Sequence, residues 1–427
     1  MKLWQRFWGS NLIALSYAGI GFYIAQWWIA SLSDWTGSYV LSLLIVLFIA
    51  IIPGYLNILL LASLYFYKYE PANVKESDFP PVSILIAAYN EEEAVRETFR
   101  GLSHQVYPNE MEVIVVNDGS SDHTVDKLAG LHFPNSRIIS TNHGGKAEAL
   151  NVGLKECGHD IIVTIDADTF LHHNAIHQIV ARILSDTEYA AVAGNVLVKN
   201  ERMSRLARLQ SWDYMLGISS VKREQGLFQG TLVAQGAFSA FRKSILLKLD
   251  GWQDRIGEDI VLTWALLKAG YKVGYEPTAF AFTGVPINFR QFLRQRQRWA
   301  RGMIEGFKDH LNLVWRRHNY SAFFVAIDLF FPIIDFFYTF VFIPGLIMAC
   351  FGHFHIVGLF TLLVIPINIC IIAMMIHAQK KFLNYAGLKM RENPVGLALY
   401  AMIYQILVSP ICVKGYFQEI FCYKRKW

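Results

Sequence analysis

Two aspartates, Asp166 and Asp168, follow an apolar run at residues 161–165 and stand one residue apart. In an extended chain, side chains with this spacing point to the same side of the backbone. Paired carboxylates suit shared coordination of a hard divalent cation and a diphosphate. Two solvated loop acids are the alternative. A second polar run, residues 117–122, contains Asp118 and by itself is equally typical of a turn with an Asx or Ser cap.

A further pair of acids, Glu258 and Asp259, directly precedes the amphipathic segment 260–268. One interpretation is that Asp259, with Glu258 beside it, is a catalytic general base held at a helix entrance. The alternative is an acidic helix cap that the helix dipole favours.

A basic segment at residues 290–317 holds eight Lys or Arg and two acids. An amphipathic helix on a membrane surface explains most of this pattern. It does not explain Gln295, Arg298 and Trp299, which share one helix face because they are spaced by three and four residues. A planar donor beside an aromatic plate suits a diphosphate next to a sugar ring.

A glycine pair followed by Lys146 opens another predicted helix and superficially resembles a phosphate-binding loop. The P-loop pattern fails, because no glycine precedes Gly145 by five residues and Ala147 replaces the required Ser or Thr. ATP binding is therefore not expected, although a lysine at a helix start can still contact a nucleotide.

Strand-like and helical segments alternate along the middle of the chain. We predict strands at 82–88, 112–116, 137–140, 161–165 and 190–198, and helices at 91–105, from 122, at 146–156 and at 173–184. This alternation predicts an α/β layered domain with a mainly parallel sheet. Ligands of such domains bind at the carboxyl ends of the strands, where the polar clusters above fall.

The composition places this domain in a membrane protein. Of 427 residues, 54% are hydrophobic and 17% are charged, which excludes a disordered chain and disfavours a wholly soluble enzyme. Uncharged runs at 7–33, 39–67, 356–376 and 395–413 have the length that a bilayer core requires. The first run is too long for a cleaved signal peptide. A net charge of +5 does not suggest nucleic acid, and five scattered cysteines indicate neither disulfides nor a zinc site.

The basic residues predict the orientation of the spans. The links 34–38 and 351–355 carry no Lys or Arg, whereas the opposite ends are flanked by Lys2, Arg6, Lys68, Arg316, Arg317, Lys380, Lys381, Lys389 and Arg391. By the positive-inside rule the soluble domain faces the cytoplasm, as expected of a multi-pass protein of the inner membrane.

Two features of the later spans stay open at this point. Asp328 and Asp335 in the span 322–350 either meet an interface and a neighbouring helix or line a polar path. Five spans would leave the basic tail 424–426 outside, against the positive-inside rule. Either the run 395–413, broken by Pro410, is re-entrant, or the number of spans differs by one.

Taken in order, the motifs resemble those of the processive family 2 glycosyltransferases, the membrane-embedded synthases of cellulose, chitin, hyaluronan and poly-β-1,6-N-acetylglucosamine. The resemblance covers about residues 81–310, and size and layout are most similar to the bacterial poly-N-acetylglucosamine synthases. The residues that carry it are Ser83 to Glu92, Asn117-Asp118-Gly119-Ser120, Asp166-Ala167-Asp168, Gly257-Glu258-Asp259 and Gln295-x-x-Arg298-Trp299.

This resemblance implies a GT-A fold, an α/β domain with a mainly parallel, Rossmann-like sheet, embedded between transmembrane α-helices. The expected organisation is two N-terminal transmembrane helices (1–68), a cytoplasmic catalytic domain (69–287), interface helices (288–320) and about three C-terminal transmembrane helices (321–427). The implied reaction is inverting, processive transfer of N-acetylglucosamine from UDP-GlcNAc into a β-linked exopolysaccharide of the poly-β-1,6 type, translocated across the membrane. One base and direct displacement account for the inversion.

The resemblance also implies a role for each site residue. Asp118 recognises uridine, with Ala88, Tyr89 and Glu91 nearby, and Lys146 contacts the nucleotide. Asp166 and Asp168 hold the diphosphate and Mg²⁺ or Mn²⁺, with Asp168 as the direct ligand. Asp259 is the base, Gln295 and Arg298 steady the diphosphate, and Trp299 stacks on the acceptor sugar beside the segment that contains Gly236 and Ala237.

The sequence departs from the resemblance at Gly257, where the poly-N-acetylglucosamine synthases usually carry Thr and chitin-oligosaccharide synthases also carry Gly. The partners implied are a UDP-sugar donor, a growing polysaccharide acceptor, the lipid bilayer and a small accessory membrane subunit, without nucleic acid. Three rival functions are open: another β-glycan synthase, a transferase of one sugar to polyprenyl phosphate, and a non-enzymatic transporter or receptor with a nucleotide-sensing domain.

Overall fold

The computed structural model describes residues 2–130, 133–315, 320–390 and 393–423, with the side chains of 359, 360 and 362–365 left aside. Some of the basic residues used to predict the orientation lie outside these ranges, namely Arg316, Arg317, Arg391 and the tail Lys424-Arg425-Lys426.

One eight-stranded sheet forms the centre of the middle part of the chain. Its strands are β1 (Val82–Ala88), β2 (Met111–Asp118), β3 (Ser136–Thr141), β4 (Ile161–Asp166), β5 (Phe170–Leu171), β6 (Tyr189–Val198), β7 (Phe238–Arg242) and β8 (Lys272–Thr283). Their order is β3-β2-β1-β4-β7-β6-β8-β5. Strands β1 to β4 are mutually parallel, β8 is parallel to β6, and β7 and β5 run antiparallel to their neighbours. The prediction of a mainly parallel sheet is confirmed.

The register of the parallel strands brings their polar ends together. Ala88 of β1 is paired with Asn117 of β2, and Ala87 is paired with Asp166 of β4. The strands are apolar up to these positions, and their side chains are buried on both faces. Continuous apolar strands of this kind require cover on both sides, so polar groups can meet solvent only at the strand ends.

Helices cover both faces of the sheet and join it to the remainder of the chain. In chain order the α-helices of the described residues are α1 (Leu3–Thr36), α2 (Tyr39–Val46), α3 (Ile52–Phe66), α4 (Val95–Ser103), α5 (Thr124–Ala129), α6 (Lys146–Glu156), α7 (Ala175–Leu184), α8 (Arg205–Trp212), α9 (Ser219–Leu227), α10 (Lys243–Lys248), α11 (Glu258–Lys268), α12 (Phe289–His310), α13 (Tyr320–Asp328), α14 (Phe330–Phe337), α15 (Ile343–Cys350), α16 (Leu359–Tyr385) and α17 (Pro394–Ile420). Short π-helical turns join α2 to α3, α8 to α9 and α14 to α15.

The structure differs from the sequence prediction mainly at the first helix of the domain. This helix was predicted from residue 91 but begins at Val95. The N–H groups of Glu91 and Glu92 instead donate to Thr124 Oγ1 (2.8 Å) and Asp122 Oδ2 (3.2 Å) on the loop after β2. Because side chains of another loop satisfy these amides, the segment stays non-helical at the edge of the sheet.

Four helical segments are long and apolar enough to cross a membrane: Leu3–Thr36, Tyr39–Phe66, Tyr320–Cys350 and Pro394–Ile420. Helix α16 has 27 residues and follows the third of these. Asp335, inside the third segment, accepts hydrogen bonds from Ser409 (2.7 Å), Tyr416 (2.8 Å) and Gln405 (3.0 Å) of α17. For Asp335 the structure therefore agrees with the interpretation that it binds a neighbouring helix.

Helix α9 joins the sheet domain to the first apolar helices. Its Glu224 is buried beside Ser63 of α3, and this burial raises the pKa of the Glu224 carboxyl to about 8. A carboxyl whose pKa is raised on folding favours the folded state at low pH. That advantage is lost as the pH rises from the ordinary carboxyl value towards 8.

Replacing Glu224 with Gln therefore removes a pH-dependent cost of folding. We expect the melting temperature of Glu224→Gln in detergent to exceed that of the natural protein above pH 8 and to match it near pH 4.5. Above pH 8 the free energy of unfolding of the two proteins should differ by about 1.4 kcal/mol for each unit by which folding raises the pKa of Glu224. Glu93→Gln, at an exposed carboxyl, is the control and should follow the natural protein at every pH. Equal melting of Glu224→Gln and the natural protein across the range would contradict the buried, neutral carboxyl.

Candidate active site

The carboxyl edge of the sheet carries the predicted acids side by side. Asp166 is the last residue of β4, and Asp168 lies two residues beyond it. Thr283, the last residue of β8, donates its hydroxyl to the Asp168 carboxylate at 3.2 Å and 3.3 Å. Burial, together with the charge of Asp166, raises the pKa of Asp168 above its ordinary value. The negative charges of Asp166 and Asp168 at this edge of the sheet are therefore not fully balanced by the groups around them.

Lys146 connects this edge to the second pair of acids. It is the first residue of α6, and its Nζ lies 2.5 Å from Asp166 Oδ1 and 3.6 Å from Glu258 Oε1. Burial lowers the pKa of Lys146, but these carboxylates outweigh burial and raise it overall. Burial also raises the pKa of Glu258 to about 7, against the opposing charges of Lys146 and Arg298. One lysine thus lies between residues more than ninety positions apart in the sequence.

Glu91 belongs to the same group of charges. Burial and the charges of Asp168 and Asp166 raise its pKa to about 7. Its sequence neighbour Tyr89 stacks on His143, with ring centroids 4.2 Å apart and an angle of 20°. Tyr89 is nearly half exposed, so it offers a planar face to a ligand at this edge.

Asp118, at the end of β2, has a different local environment from the other acids. Its carboxylate accepts hydrogen bonds from the backbone N–H groups of Gly144 (2.8 Å) and Gly145 (3.0 Å), and lies 2.9 Å from Nδ1 of His143. These bonds shape the loop that leads into Lys146. The predicted contact of Asp118 with uridine would therefore be made by a carboxylate that already orders this loop.

Gly236 and Ala237 lie beside Asp166, just before β7. A Cβ atom on Gly236 would come within 2.5 Å of Lys146 Nζ. The carbonyl of Ala237 accepts a hydrogen bond from the backbone N–H of Asp166 at 3.4 Å. Glycine at 236 therefore leaves open the space that the Lys146 ammonium occupies beside Asp166.

Asp259, the predicted base, lies in the first turn of α11, and its Oδ1 accepts a hydrogen bond from the N–H of Ile260 at 2.8 Å. This contact agrees with the alternative of an acidic helix start, and the role of Asp259 as a base stays a prediction. Lys222, which the sequence analysis missed, is buried on α9 and donates to the carbonyl of Val233 at 2.8 Å. Burial lowers the pKa of Lys222 to about 7, although the charge of Asp259 opposes this shift. An isolated lysine in a polar helix offers no sequence signal of such a position.

Helix α12 carries the Gln295, Arg298 and Trp299 motif along the site. The Trp299 ring is partly exposed, and its centroid lies 4.1 Å from the guanidinium of Arg296. Arg296, also missed by the sequence analysis, is buried and forms an ion pair with Asp213 at 3.0 Å. The amide oxygen of Gln295 is buried without a hydrogen-bond partner among the described residues. A buried acceptor without a partner is the kind of group that a bound ligand satisfies.

A contact between two glycines fixes α12 against the start of α11. A Cβ atom on Gly257 would lie 2.6 Å from Gly302 Cα, and one on Gly302 would lie 2.8 Å from Gly257 Cα. The N–H of Gly257 donates to Glu305 Oε2 of α12 at 3.0 Å. This close approach gives a physical reason for glycine at position 257, where the resemblance leads one to expect threonine.

The donor set at the strand edge fits a divalent cation that is shared with a phosphate group. The described residues include no cluster of three His, Cys, Asp or Glu side chains that could hold an ion alone. Magnesium, however, is usually bound by one or two carboxylates together with phosphate oxygens and water. Asp168 and Asp166 match that pattern. Burial and then the charge of Asp166 raise the pKa of Asp168, and a bound cation would offset both effects.

Comparison with known proteins agrees with this geometry. The family model described as Glycosyl transferase family 2 matches residues 83–250, so this part of the chain is similar to the family 2 glycosyltransferases. The poly-beta-1,6-N-acetyl-D-glucosamine synthase of Staphylococcus aureus (strain COL) is 31% identical over 267 residues, which are 60% of this chain and 64% of that protein. The synthase of the same name from Staphylococcus epidermidis is 33% identical over 248 residues, 56% of this chain and 60% of that protein. The similarity thus spans less than two thirds of these relatives.

A solved structure shares the fold over nearly the whole chain. It is the mannosyltransferase PcManGT from Pyrobaculum calidifontis in complex with GDP-Man and Mn²⁺, with a TM-score of 0.57 and 17% sequence identity. The match covers 97% of this chain and 100% of that one. The predicted GT-A-like fold is confirmed.

The glycine contact makes a testable distinction between two neighbouring positions of α12. Gly302→Ala forces its methyl group into Gly257, and overpacking of this kind costs about 1–3 kcal/mol. Gly306→Ala places its methyl group 3.5 Å from the Trp264 ring, an ordinary contact, and should gain about 0.5–1 kcal/mol from helix propensity. Thermal unfolding in detergent should therefore shift in opposite directions, and equal shifts would contradict the close approach of the two helices.

The buried ion pair gives a second prediction. Asp213→Asn leaves the Arg296 charge buried and unpaired, which costs about 3–5 kcal/mol. Glu188→Gln, at the exposed partner of Lys272, should cost at most about 1 kcal/mol. The double variant Asp213→Asn/Arg296→Met removes both charges and should recover much of the lost stability. A melting temperature of Asp213→Asn equal to that of Glu188→Gln would show that Arg296 is not paired in the folded protein.

Proposed function

We propose that this protein is an inverting, processive glycosyltransferase. In this proposal it adds N-acetylglucosamine from UDP-GlcNAc to a β-linked polysaccharide of the poly-β-1,6 type. Its catalytic domain faces the cytoplasm at the inner membrane, and the product leaves through the membrane-spanning helices. The relatives named poly-beta-1,6-N-acetyl-D-glucosamine synthase support the choice of sugar.

One observation carries the proposal. Lys146 contacts both Asp166, at the strand edge, and Glu258, beside Asp259. The groups needed to bind a nucleotide diphosphate and a group able to accept a proton are thereby held in one site. A nucleotide-sensing domain without catalysis has no need for the second group.

The donor would lie along the strand edge. Tyr89 would stack on the uracil ring, and Asp118 would order the loop that brings Lys146 to the phosphates. Arg298 would reach the diphosphate from α12, on the side where its charge acts on Glu258. The amide oxygen of Gln295, which has no hydrogen-bond partner among the described residues, would accept a hydrogen bond from the bound UDP-GlcNAc.

In the chemical step, the Asp259 carboxylate takes the proton from the acceptor hydroxyl while that oxygen attacks the anomeric carbon of the donor sugar. The bond between the anomeric carbon and the diphosphate oxygen breaks with its electron pair, so UDP leaves and the sugar configuration inverts. Lys146 and Arg298 stabilise the negative charge that builds up on the leaving diphosphate. Trp299, partly exposed, would support the acceptor sugar by stacking.

Asp168 and Asp166 would hold a bound Mg²⁺ or Mn²⁺. The ion would supply further charge stabilisation to the leaving diphosphate. Thr283 would orient the Asp168 carboxylate for this purpose, because its single O–H is shared between the two carboxylate oxygens. Lys146 forms an ion pair with Asp166, and its positive charge reduces the repulsion between Asp166 and Asp168.

The proposal is tested with purified full-length protein in detergent with Mn²⁺ or Mg²⁺. UDP-GlcNAc, UDP-Glc, UDP-GlcA and GDP-mannose are offered separately, and nucleotide release and high-molecular-weight product are measured. We expect polymer from UDP-GlcNAc alone. Asp259→Asn should lower turnover by about 10²- to 10⁴-fold, the usual contribution of a general base.

Asp126→Asn, at an exposed carboxylate, is the matched control and should keep full activity. Turnover with another donor would leave the mechanism intact and overturn the assignment of the sugar. A lipid-linked monosaccharide, made when polyprenyl phosphate is added, would replace the proposal with the polyprenyl-phosphate transferase. Full activity of Asp259→Asn would remove Asp259 as the base.

A further inference from the structure

Helix α17 has the length and apolar character of a membrane span, yet both of its ends contact the catalytic half of the protein. At its start, the carbonyl of Asn393 accepts a hydrogen bond from Trp212 Nε1 at 3.2 Å. At its end, Glu419 Oε2 accepts hydrogen bonds from Nε and Nη2 of Arg301, each at 3.0 Å. A helix that crosses a bilayer separates its two ends by about 30 Å of hydrocarbon. Contacts at both ends with one side are not compatible with such a crossing.

The middle of α17 also packs against the catalytic half of the protein, along helix α12. Tyr404 packs against Phe292 of α12, and a Cβ atom on Gly415 would lie 2.8 Å from the Cβ of Ala300. Helix α12 contains six Arg or Lys residues, at 290, 294, 296, 298, 301 and 308. Since each arginine or lysine at the centre of a spanning helix costs about 2.5–3.5 kcal/mol, α12 cannot cross the membrane core. The helix that runs along it cannot cross the core either.

The other apolar helices define two sides of the membrane region. On the catalytic side, Phe7 of α1 packs against Phe228 with ring centroids 5.4 Å apart, and Arg223 donates to the carbonyl of Ala378 of α16 at 3.3 Å. On the far side, His355 stacks on Trp35 with centroids 5.2 Å apart, and its carbonyl accepts a hydrogen bond from Trp28. The segments 3–36, 39–66 and 320–350 are long and apolar enough to lead from one side to the other. Helix α16 is a fourth, because it begins just after His355 on the far side and brings Ala378 to Arg223 on the catalytic side. Four crossings return the chain to the catalytic side before α17 begins.

We propose that α17 does not cross the membrane but lies in the lipid leaflet next to the catalytic domain, with both ends on the catalytic side. Its partner is the lipid surface, and its exposed apolar face is formed by Val395, Met402, Phe417, Ile420 and Phe421. The opposite face packs on α12 and α8. Such a helix, apolar towards lipid and bound to a charged neighbour, is the form expected of an in-plane interfacial helix.

Charge supports this placement. With α17 on the catalytic side, the tail Lys424-Arg425-Lys426 joins Lys2, Arg6, Lys68 and Lys389 on one side, as the positive-inside rule requires. A crossing would put that tail on the side where the links 34–38 and 351–355 carry no Lys or Arg.

Hydrogen bonds to Asp335 also hold α17 in the proposed position. Ser409, Tyr416 and Gln405, all from α17, donate to its carboxylate. An acid in an apolar helix is costly unless polar groups satisfy it. The middle of α17 supplies those groups and shields Asp335 from lipid.

The test is the accessibility of Cys422, which is exposed two residues beyond the end of α17. In full-length protein, the other four cysteines are replaced by serine, and a membrane-impermeant thiol reagent is added to right-side-out and inside-out vesicles. Reporter cysteines are placed at His123, exposed in the catalytic domain, and at His353, exposed on the far side. We expect Cys422 to be labelled in the same vesicles as His123→Cys and protected in those where His353→Cys is labelled.

Labelling of Cys422 together with His353→Cys would overturn the proposal. Labelling of His123→Cys and His353→Cys in the same vesicles would overturn the membrane layout on which it depends. If the serine background does not fold, an epitope attached after Trp427 of the natural chain replaces Cys422, and its protection from protease in the two kinds of vesicle gives the same decision. The readout does not require turnover, so a failure of the proposed reaction leaves this result independent.

Discussion

The contact of Lys146 with both Asp166 and Glu258 is the interaction on which the site depends. Without the positive charge of Lys146 between them, the acids at the strand edge and those at the start of α11 would repel one another in a partly buried crevice. Gly236 leaves room for the Lys146 Nζ, and Asp118 holds the loop that precedes the lysine. Several separate sequence motifs are therefore parts of one electrostatic arrangement.

Helix α12 is held to this arrangement by three unlike interactions. The glycine pair Gly257 and Gly302 sets its distance from α11, and the buried pair of Arg296 and Asp213 sets its rotation against α8 and the π-turn that follows. On its outer side, Arg301 pairs with Glu419 of α17. A displacement of any one of these contacts moves Arg298 and Trp299 relative to Asp259, which matters because catalysis is sensitive to shifts of about 1 Å.

The apolar helices and the sheet domain are therefore packed directly against each other. Helix α9 inserts Arg223 and Glu224 between the sheet domain and the apolar helices, and α17 packs along α12. In the placement proposed for α17, helix α12 with its motif Gln295-x-x-Arg298-Trp299 lies between the candidate site and the bilayer. An acceptor chain that leaves the site would then meet the membrane helices directly.

The sequence by itself determined the local features of this protein. Apolar runs with polar ends predict β1, β2, β4 and α6 nearly at their observed bounds, and the spacing of the acids and Lys146 identifies residues that the structure brings into contact. Periodicity and spacing report what a segment buries and which side chains share its face, so such features can be read locally.

Only the tertiary structure decided how these segments meet. The antiparallel insertion of β7, the pairing of Arg296 with Asp213, the position of Lys222 near Asp259 and the glycine contact join residues far apart in the chain. The course of α17 is the clearest case, because its length and composition suit a bilayer span equally well. Which polar groups a helix satisfies depends on its neighbours, and a sequence pattern does not contain them.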